Sequence, residues 1–318
     1  MKNIVKTILV VIGALLIAAG VLVALRNFAD WRTGLKAEKN TGSFLSNVNK
    51  FVNEKVSLEE FTDIEASVHS ASFKIEVGNE NKLTYALPEE LVPAVKVKSG
   101  KLYIEVPKDS SSIFNIAAFI GEKPEITLTI KDADKVREIA LHSSSGSMDI
   151  SGFNASGKIT ANSGGVDITD MNFNQLELKV DAGSCRIEDC DFEDYTLDHA
   201  SGSSKYLNCT FTNAQVESSS GSMNFEDCTC ENFKCKRSSG GLDADNCRFD
   251  NIDMKVSSGS TRLELLGNAD DYDLDIDASS GSVSVDGQSC KDGCTIDRGR
   301  DKLVKIHSSS GSITVDFK

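Results

Sequence analysis

The chain has 318 residues, which is longer than one typical domain and allows a sizeable hydrophobic core. Its 48 Asp and Glu residues outnumber its 34 Lys and Arg residues and give a formal net charge of −14 at pH 7. Nucleic-acid binding depends on Lys and Arg side chains that neutralise phosphates. Because no basic stripe interrupts the acidic composition, the charge argues against a nucleic-acid-binding protein.

Residues 1–7 form a short basic N-terminus, and Ile8–Leu25 follows as an apolar segment without a charged side chain. Its length lies at the lower end for a membrane-spanning helix. A cleaved signal peptide also has a basic start, but its apolar part is shorter, and no small-x-small cleavage site precedes Arg26. We therefore predict that Ile8–Leu25 is a signal anchor through which the protein contacts the membrane.

The charges that flank this segment bear on its orientation in the membrane. Lys2 and Lys6 favour a cytoplasmic N-terminus, while Arg26, Arg32 and Lys36 weaken that bias. We expect a single-pass protein of the cell membrane whose acidic C-terminal domain lies outside the cytoplasm.

Residues 26–56 carry apolar side chains at near-helical spacing, among them Phe28, Trp31, Phe44, Val48 and Val52. The spacing predicts a helical juxtamembrane or stalk region. Two interpretations stay open. Trp31 could anchor an interfacial helix at the lipid headgroups, or the helix could be a stalk that packs against its own domain.

Residues 57–141 alternate like β-strands, for example at Phe73, Ile75 and Val77, but without a fixed period. All four prolines of the chain lie between Pro88 and Pro124. Because terminal repeats of a repeat protein are atypical, we predict an irregular β subdomain that caps a more regular region.

Residues 142–318 are organised by glycines that recur at a fixed interval and, except for Gly183, directly follow a serine. These repeat glycines are Gly146, Gly164, Gly183, Gly202, Gly221, Gly240, Gly259, Gly281 and Gly311. The five intervals from Gly164 to Gly259 are identical, the first interval is one residue shorter, and the last two are longer. Five equal intervals predict a repeat architecture.

One period has its own apolar pattern, counted from the repeat glycine as position zero. Apolar side chains recur at positions +2, +4, +7, +9, +12 and +14. After Gly183 these are Cys185, Ile187, Cys190, Phe192, Tyr195 and Leu197; after Gly259, position +7 is Leu266. A spacing of two is the strand period, and each interval of three marks a corner. Since a period of about 19 residues is too short for a strand, a crossover helix and a return strand, each period predicts one coil of a parallel β-solenoid.

The corners carry residue types that favour turns. Glycine tolerates positive φ, and the neighbouring serine hydroxyls can bond to the backbone. Asp or Asn occupies position +6 in Asp170, Asp189, Asn208, Asp227 and Asn246. Position +11 is Gln175, Asp194, Asn213, Asn232 or Asn251. We predict that these side chains stack into polar ladders along the solenoid edges.

The last two intervals are longer than the others and predict insertions. Asp270–Asp277 is an acidic run, and Gly287–Arg300 predicts an inserted loop that contains Cys290 and Cys294. An exposed disulfide between these two cysteines is one possibility; two free thiols are the other. The acidic run lacks the ligand spacing of an EF-hand, so calcium binding by it stays an open question without a supporting motif.

The overall pattern resembles the bacterial putative-adhesin family, a membrane-anchored solenoid domain of unknown function with Ser-Gly-Ser repeats. The tags that carry the resemblance are Ser144–Ile150, Ser219–Met223 and Ser309–Val315. The resemblance implies an all-β fold, a single-stranded right-handed parallel β-solenoid with coils of about 19 residues, preceded by one N-terminal transmembrane helix. It also implies a cell-envelope protein, and it supplies no catalytic residues.

Candidate sites have ordinary structural explanations. Cys190, Cys209, Cys228 and Cys247 recur at an inward position, where free cysteine is a small buried hydrophobe, and no Cys-x-x-Cys pair suggests zinc. Stacked carboxylates at position +5 are Glu188, Glu226, Asp245 and Glu264. Stacking brings such pairs together in any solenoid, so they indicate a solvated face more than a glycosidase. We assign no catalytic, cofactor-binding or metal-binding residues.

These observations predict a non-enzymatic, membrane-anchored envelope protein that presents a β-solenoid surface for adhesion, binding or scaffolding. An envelope glycan or protein is the expected partner. A carbohydrate-active β-solenoid enzyme, a glycan hydrolase or lyase, is one alternative, and it requires convergent carboxylates. A cytoplasm-facing, polymer-forming scaffold is the other, and it requires uncapped coil ends.

Overall fold

The computed structural model describes residues 51–108, 123–291 and 293–318. The basic N-terminus, the predicted anchor Ile8–Leu25 and residues 26–50 of the predicted stalk lie outside these ranges. In the part that is described, no helix is both long enough and apolar enough to span a membrane. Phe51–Ser57 is a strand and not the end of a helix, because its backbone pairs antiparallel with Lys82–Pro88 and takes its hydrogen bonds from that ladder.

The strands of the first part of the chain are short. They are β1 (Phe51–Ser57), β2 (Asp63–His69), β3 (Ser72–Val77), β4 (Lys82–Pro88), β5 (Ala94–Lys98), β6 (Lys101–Glu105) and β7 (Glu125–Ile130). Three single 3₁₀ turns complete the described structure, at Glu89–Leu91, Ala133–Lys135 and Ala269–Asp271.

The strands of the repeat region follow one another around the coils. They are β8 (Glu138–Ser143), β9 (Met148–Ser151), β10 (Asn154–Ala161), β11 (Val166–Thr169), β12 (Asn172–Glu188), β13 (Asp191–Leu207), β14 (Thr210–Ser218), β15 (Ser222–Glu226), β16 (Thr229–Arg237), β17 (Gly241–Ser258) and β18 (Ser260–Leu265). The C-terminal strands are β19 (Tyr272–Ala278), β20 (Gly281–Val285), β21 (Gln288–Cys290), β22 (Cys294–Ile296) and β23 (Lys302–Phe317).

Each coil pairs in parallel with the next, so that each residue lies beside the equivalent residue of the next repeat. Positions +1 to +5 form one side of the solenoid, which we call face 1, as where Ser222–Glu226 pairs with Gly241–Asp245. Positions +11 to +16 form a second side, face 3, as where Asn232–Arg237 pairs with Asn251–Val256. A short segment at positions +8 and +9 lies between face 1 and face 3 and forms the remaining side of the coil. The predicted stack of parallel coils, one coil per repeat, is therefore confirmed.

The inward rows agree with the predicted apolar positions in the regular coils. Side chains at +2, +4, +7, +9, +12 and +14 are buried from Val166 through Met254. The phenyl rings of Phe173, Phe192 and Phe211 stack with centroids 5.5 and 5.0 Å apart. One prediction is wrong by a residue: in the coil after Gly259, Leu265 at position +6 is buried in place of Leu266 at position +7, because the strand pairing slips so that Cys247 faces Leu265.

The position +6 corner is a left-handed turn in every regular coil. Asp170, Asp189, Asn208, Asp227 and Asn246 all have φ between 53° and 55°. Asp and Asn adopt the left-handed backbone conformation with a smaller energetic penalty than most residues, so the chain can turn this corner without glycine. Asn208 Nδ2 donates a hydrogen bond of 2.5 Å to Asp189 Oδ1 on the preceding rung, as the predicted polar ladder requires.

At the first end of the solenoid, spatial order differs from chain order. β2 pairs in parallel with β6 on one side and β8 on the other, and β3 lies in the same way between β7 and β9. The strands of residues 57–141 thus belong to the same stack as the regular coils. β1, β4 and β5 pair antiparallel and close this end, with exposed Lys96 and Lys98 on the edge strand β5.

At the opposite end, the last strand is inserted between earlier ones. β23 pairs in parallel with β17 and β18 on one side and with β19 and β20 on the other. The segment predicted as a loop, Gly287–Arg300, contains β21 and β22, which pair antiparallel with β20 and β19. These antiparallel strands satisfy backbone groups that would otherwise form an open sheet edge, which is the physical reason for the correction.

Candidate functional site

Face 3 presents a regular array of polar side chains to solvent. Because successive side chains of a strand point to opposite sides, positions +12, +14 and +16 enter the core and +11, +13 and +15 point outward. In the coil after Gly221 the outward residues are Asn232, Lys234 and Lys236. Equivalent residues on neighbouring coils stack above and below them.

The row at position +11 forms a continuous amide ladder. Asn213 Nδ2 donates to Asp194 Oδ1 at 3.0 Å, and Asn232 Nδ2 donates to Asn213 Oδ1 at 3.1 Å. Asn251 Nδ2 then donates to Asn232 Oδ1 at 3.3 Å. The ladder has one direction and starts at a carboxylate, which only accepts. It fixes the rotamer of each amide. Asn232 Nδ2 also donates to the Thr212 carbonyl oxygen at 3.5 Å, while Asn213 and Asn251 each keep a second N–H group for a ligand or for solvent.

A shallow groove runs along face 3 beside this ladder. One part, with a volume of about 370 Å³, is lined by Gln175, Asp194, Asn213 and Asn232 among others. A second part, of about 230 Å³, is lined by Glu217, Lys236, Asp253 and Lys255 among others. Gln215 and Lys234 line both parts, so the groove is continuous. It covers five coils, about 19 Å at the usual strand separation.

Charge is unevenly distributed along the groove. At one end Lys158 pairs with Glu177, and Lys179 lies 3.7 Å from Asp198. At the other end Lys234, Lys236 and Lys255 lie together, and of these three only Lys236 has an ion-pair partner within the described residues, Glu217 at 3.9 Å. Glu217 and Asp253 line the same part of the groove, so the three lysines give this end a small net positive charge, and we call them the basic patch. It suits an anionic group on a bound molecule.

The carboxylates at position +5 contact basic side chains or each other. Glu188 lies 2.5 Å from Arg186, and Glu226 lies 2.9 Å from Lys205. Asp245 and Glu264 contact each other directly, and the hydrogen bond between them raises the pKa of Asp245. The hydrogen bond from Lys318 lowers the pKa of Glu264. A glycosidase keeps its carboxyl groups about 5–9.5 Å apart so that substrate and water fit between them, and this pair leaves no such space.

The acidic run Asp270–Asp277 is occupied by contacts within the fold. Asp270 lies 3.2 Å from the guanidinium group of Arg298, and Asp273 accepts backbone hydrogen bonds from Arg298 and Arg300 at 2.7 and 3.1 Å. The hydrogen bond from Lys305 lowers the pKa of Asp275. Asp277 contacts His307. The described residues contain no group of three or more His, Cys, Asp or Glu side chains arranged to hold a metal ion.

The inward cysteines form a buried thiol row. Cys190, Cys209, Cys228 and Cys247 are each about 1% exposed or less. Burial raises the pKa of Cys190 to about 12, and the hydrogen bond with Cys228, followed by burial, raises the pKa of Cys209 and of Cys247. Each thiol also donates to the carbonyl oxygen two residues earlier, for example Cys190 to Glu188 at 3.1 Å. These thiols fill the interior as predicted.

Two histidine clusters bring together residues that are distant in sequence. Ser144 Oγ lies 3.2 Å from His69 Nδ1 and 3.5 Å from His142 Nε2. Burial, followed by the charge of His142, lowers the pKa of His69. His199 is 1% exposed and shares a 2.7 Å hydrogen bond with Ser204. The pairing of β2 with β8, which are not consecutive strands, brings His69 and His142 together.

Comparisons with known proteins agree with this architecture. A family model described as Toastrack DUF4097 matches residues 61–316. A putative adhesin from Parabacteroides distasonis is similar with a TM-score of 0.50 and 13% identity, over 85% of this chain and 97% of that chain. At 13% identity, that likeness supports the shared fold alone.

Two further solved structures are similar at lower scores. A putative lipid binding protein from P. distasonis has a TM-score of 0.43 and 14% identity, over 85% of this chain and 97% of that chain. A putative adhesin from Bacteroides fragilis has a TM-score of 0.40 and 16% identity, over 85% of this chain and 98% of that chain. No curated protein matches the chain.

Proposed function

The chain belongs to the Toastrack DUF4097 family, and on that premise we propose that it is a non-enzymatic, membrane-anchored envelope protein whose face 3 groove binds an extended polar polymer. An envelope polysaccharide is the partner that fits this chemistry. The predicted anchor Ile8–Leu25 would hold the protein at the membrane, with the solenoid outside the cytoplasm.

The observation that carries this proposal is the continuity of the groove with the amide ladder. Amide and carboxylate groups recur once per coil, so a polymer with a repeating unit can make the same contact several times. Many weak contacts held on one rigid scaffold act together, which raises the overall affinity without a deep pocket. The basic patch of Lys234, Lys236 and Lys255 favours a polymer that carries carboxylate, sulfate or phosphate groups.

The arrangement of the acidic residues favours binding over catalysis. A hydrolase or lyase requires carboxylates with space for a substrate between them, whereas the +5 carboxylates face basic side chains or each other. The antiparallel strands at both ends also weigh against a polymer-forming scaffold, because such a scaffold needs open coil ends.

Binding of purified full-length protein to fractionated envelope polysaccharides tests the proposal. We expect Lys234→Gln combined with Gln215→Ala to weaken binding by about tenfold or more, since a hydrogen bond to a charged group contributes about 1.5–3 kcal/mol. Lys205→Gln removes one charge from face 1 and serves as the matched control. Equal loss in both variants, or cleavage of the polysaccharide by the native protein, would overturn the proposal.

A second experiment tests the location independently of the ligand. Protease added to intact cells should digest the solenoid domain, whereas protection until the membrane is disrupted would place the domain inside. Face 3 binding could then still be measured with the purified protein, so the two parts of the proposal fail separately.

A further inference from the structure

Cys290 and Cys294 lie at the C-terminal end of the solenoid. Cys290 ends β21 and pairs with Val283 of β20, while Cys294 begins β22 and pairs with Ile276 of β19. Because Val283 and Ile276 belong to the apolar core, the two cysteines cover the end of that core from different faces. β21 extends the face 1 side of the stack, and β22 extends the face 3 side.

The two cysteines lie at the facing ends of β21 and β22, where Lys291 and Gly293 form an isolated β-bridge between them, and Cys290 is partly accessible. Burial, followed by the interaction with the Cys290 thiol, raises the pKa of Cys294 to about 11. Cys294 is 9% exposed, and Cys290 is half-buried. The nearby positive charge of Arg298 acts in the opposite direction and stabilises the Cys294 thiolate. An oxidant can therefore reach Cys290 first, with Cys294 within reach of the same sulfur.

The other seven of the nine cysteines are closed to an oxidant by burial. All are 4% exposed or less, and burial raises the pKa of Cys190, Cys230 and Cys235 to about 12. Hydrogen bonds with Cys209 and Cys247 lower the pKa of Cys228, but this thiol is only 1% exposed. Thiolate, not thiol, is the nucleophile in disulfide exchange. The interior row also lies on parallel strands in register, about 4.8 Å apart, whereas a disulfide prefers Cβ atoms about 3.8 Å apart.

We propose that Cys290 and Cys294 are a reactive dithiol that closes to a disulfide and locks the C-terminal end of the solenoid. The oxidant is a disulfide, either a small molecule such as oxidised glutathione or the Cys–Cys pair of an oxidoreductase. This step concerns the end of the fold and does not depend on the groove or its ligand.

The exchange balances in two steps. The Cys290 thiolate attacks one sulfur of the oxidant, which breaks the oxidant's S–S bond, forms a mixed disulfide and releases one thiolate. Cys294 loses its proton to solvent, and its thiolate attacks the Cys290 sulfur, forming the Cys290–Cys294 bond and releasing the second thiolate. The protein loses two electrons and two protons, and the oxidant becomes two thiols.

The location of the pair suggests what the disulfide does. β21 and β22 are three residues each and pair with one strand each, so these two strands have few hydrogen bonds to hold them over the core. A covalent link between them would keep Val283 and Ile276 covered. Outside the cytoplasm, where disulfides persist, this protects an end of the sheet stack from opening.

The test uses the folded, full-length protein treated with oxidised glutathione, alkylated, digested and analysed by mass spectrometry. The expected product is a peptide that lacks two hydrogen atoms and links Cys290 to Cys294, while the seven interior cysteines are alkylated only after denaturation. Cys294→Ser should leave glutathione on Cys290 as a stable mixed disulfide. Cys290→Ser should leave Cys294 mostly unreacted, because Cys294 is the less exposed thiol.

Two outcomes would overturn the proposal. One is that both cysteines remain free after prolonged oxidation, while the seven interior cysteines stay protected and so report an intact fold. The other is that wild-type protein accumulates glutathione on Cys290 without forming the Cys290–Cys294 disulfide. If the interior cysteines of one single variant become alkylated, that variant is unfolded. The other single variant then shows which of the two cysteines attacks the oxidant first.

Discussion

A Cβ atom placed on Gly221 would lie 2.0 Å from the carbonyl oxygen of Gly202, the repeat glycine of the preceding coil. The same close approach joins Gly240 to Gly221 and Gly259 to Gly240, each with 1.9 Å between the added Cβ and the carbonyl oxygen. The corner therefore requires glycine because the coils are stacked directly on one another. Positive φ adds a second requirement at Gly221, where φ is 131°.

Gly221→Ala should strongly destabilise the protein. The left-handed backbone costs about 1–2 kcal/mol for a residue with a Cβ, and the overlap with backbone that cannot rotate away adds about 1–3 kcal/mol. We expect a loss of about 3–5 kcal/mol in the free energy of unfolding, measured by urea denaturation.

Gly287→Ala is the matched control for this substitution. Gly287 also has positive φ, 70°, but its added Cβ would have no neighbour within 4 Å. It should therefore show the backbone cost alone, about 1–2 kcal/mol. Similar losses in the two variants would mean that stacking contributes little to the glycine requirement.

Alkaline pH should destabilise the protein through its buried thiols. The pKa of Cys235 is raised from its ordinary value of 9.0 to about 12 by burial. A raised pKa in the folded state means that the stability contribution is complete below pH 9 and is lost as the pH rises from 9 towards 12. Each such thiol should lower the free energy of unfolding by about 1.4 kcal/mol per pH unit in that window.

Cys235→Val tests this pH dependence at a site where valine already occurs in the row, at Val216 on the preceding rung. The substitution should cost less than about 1.5 kcal/mol at pH 7. Above pH 9 it should also make the free energy of unfolding fall less steeply with pH, by the contribution of one thiol. An unchanged slope would show that Cys235 does not ionise on unfolding. Cys235→Ser should cost more at pH 7, about 1–3 kcal/mol, because it buries a hydroxyl group.

The amide ladder should contribute to stability according to position. Asn232→Ala removes the bond to Asn213, the bond from Asn251 and a longer bond to the Thr212 carbonyl oxygen, while Asn251→Ala removes only the bond between Asn251 and Asn232. At about 0.5–1.5 kcal/mol per hydrogen bond, the first variant should lose at least twice as much stability as the second. Thermal unfolding monitored by circular dichroism provides the comparison. A larger loss for Asn251→Ala would contradict the ladder's contribution.

Arg237 is buried without a carboxylate partner among the described residues. It is 1% exposed, and its Nη2 donates to the Ser260 carbonyl oxygen at 2.8 Å and to Thr261 Oγ1 at 3.0 Å, while Nε and Nη1 have no partner in the part of the chain that is described. Burial lowers its pKa. A buried charge without a counter-charge is unfavourable.

Arg237→Met should therefore leave the protein as stable as before or stabilise it by about 1–4 kcal/mol. Arg237→Lys keeps the charge but cannot reproduce the two bonds of Nη2, so it should destabilise. Chemical denaturation of both variants makes the comparison. If Arg237→Met lost as much stability as Arg237→Lys, the guanidinium group would have a favourable role in the folded state.

The regular coils could be predicted from the sequence because their information is local. Alternation by two places Phe192 and Leu197 inward, intervals of three place Cys190 and Tyr195 after corners, and Asp189 marks a left-handed turn. Each coil repeats the same backbone conformation and the same inward positions. A fixed period in the sequence therefore predicts both the fold and the core residues. The ladder of Asn213 and Asn232 followed from the same period.

The tertiary structure decided the two ends and the groove. Gly311 stacks on Gly259, and Gly281 stacks on Gly311, so the order in space differs from the order in the chain. A strand placed between two others forms hydrogen bonds on both sides wherever its repeat pattern matches theirs. Because all coils share that pattern, the sequence of one strand does not specify which coils it lies between. Likewise, outward polar residues identify a solvated face, but only the stacked coils bring Gln215 and Lys234 into one continuous groove.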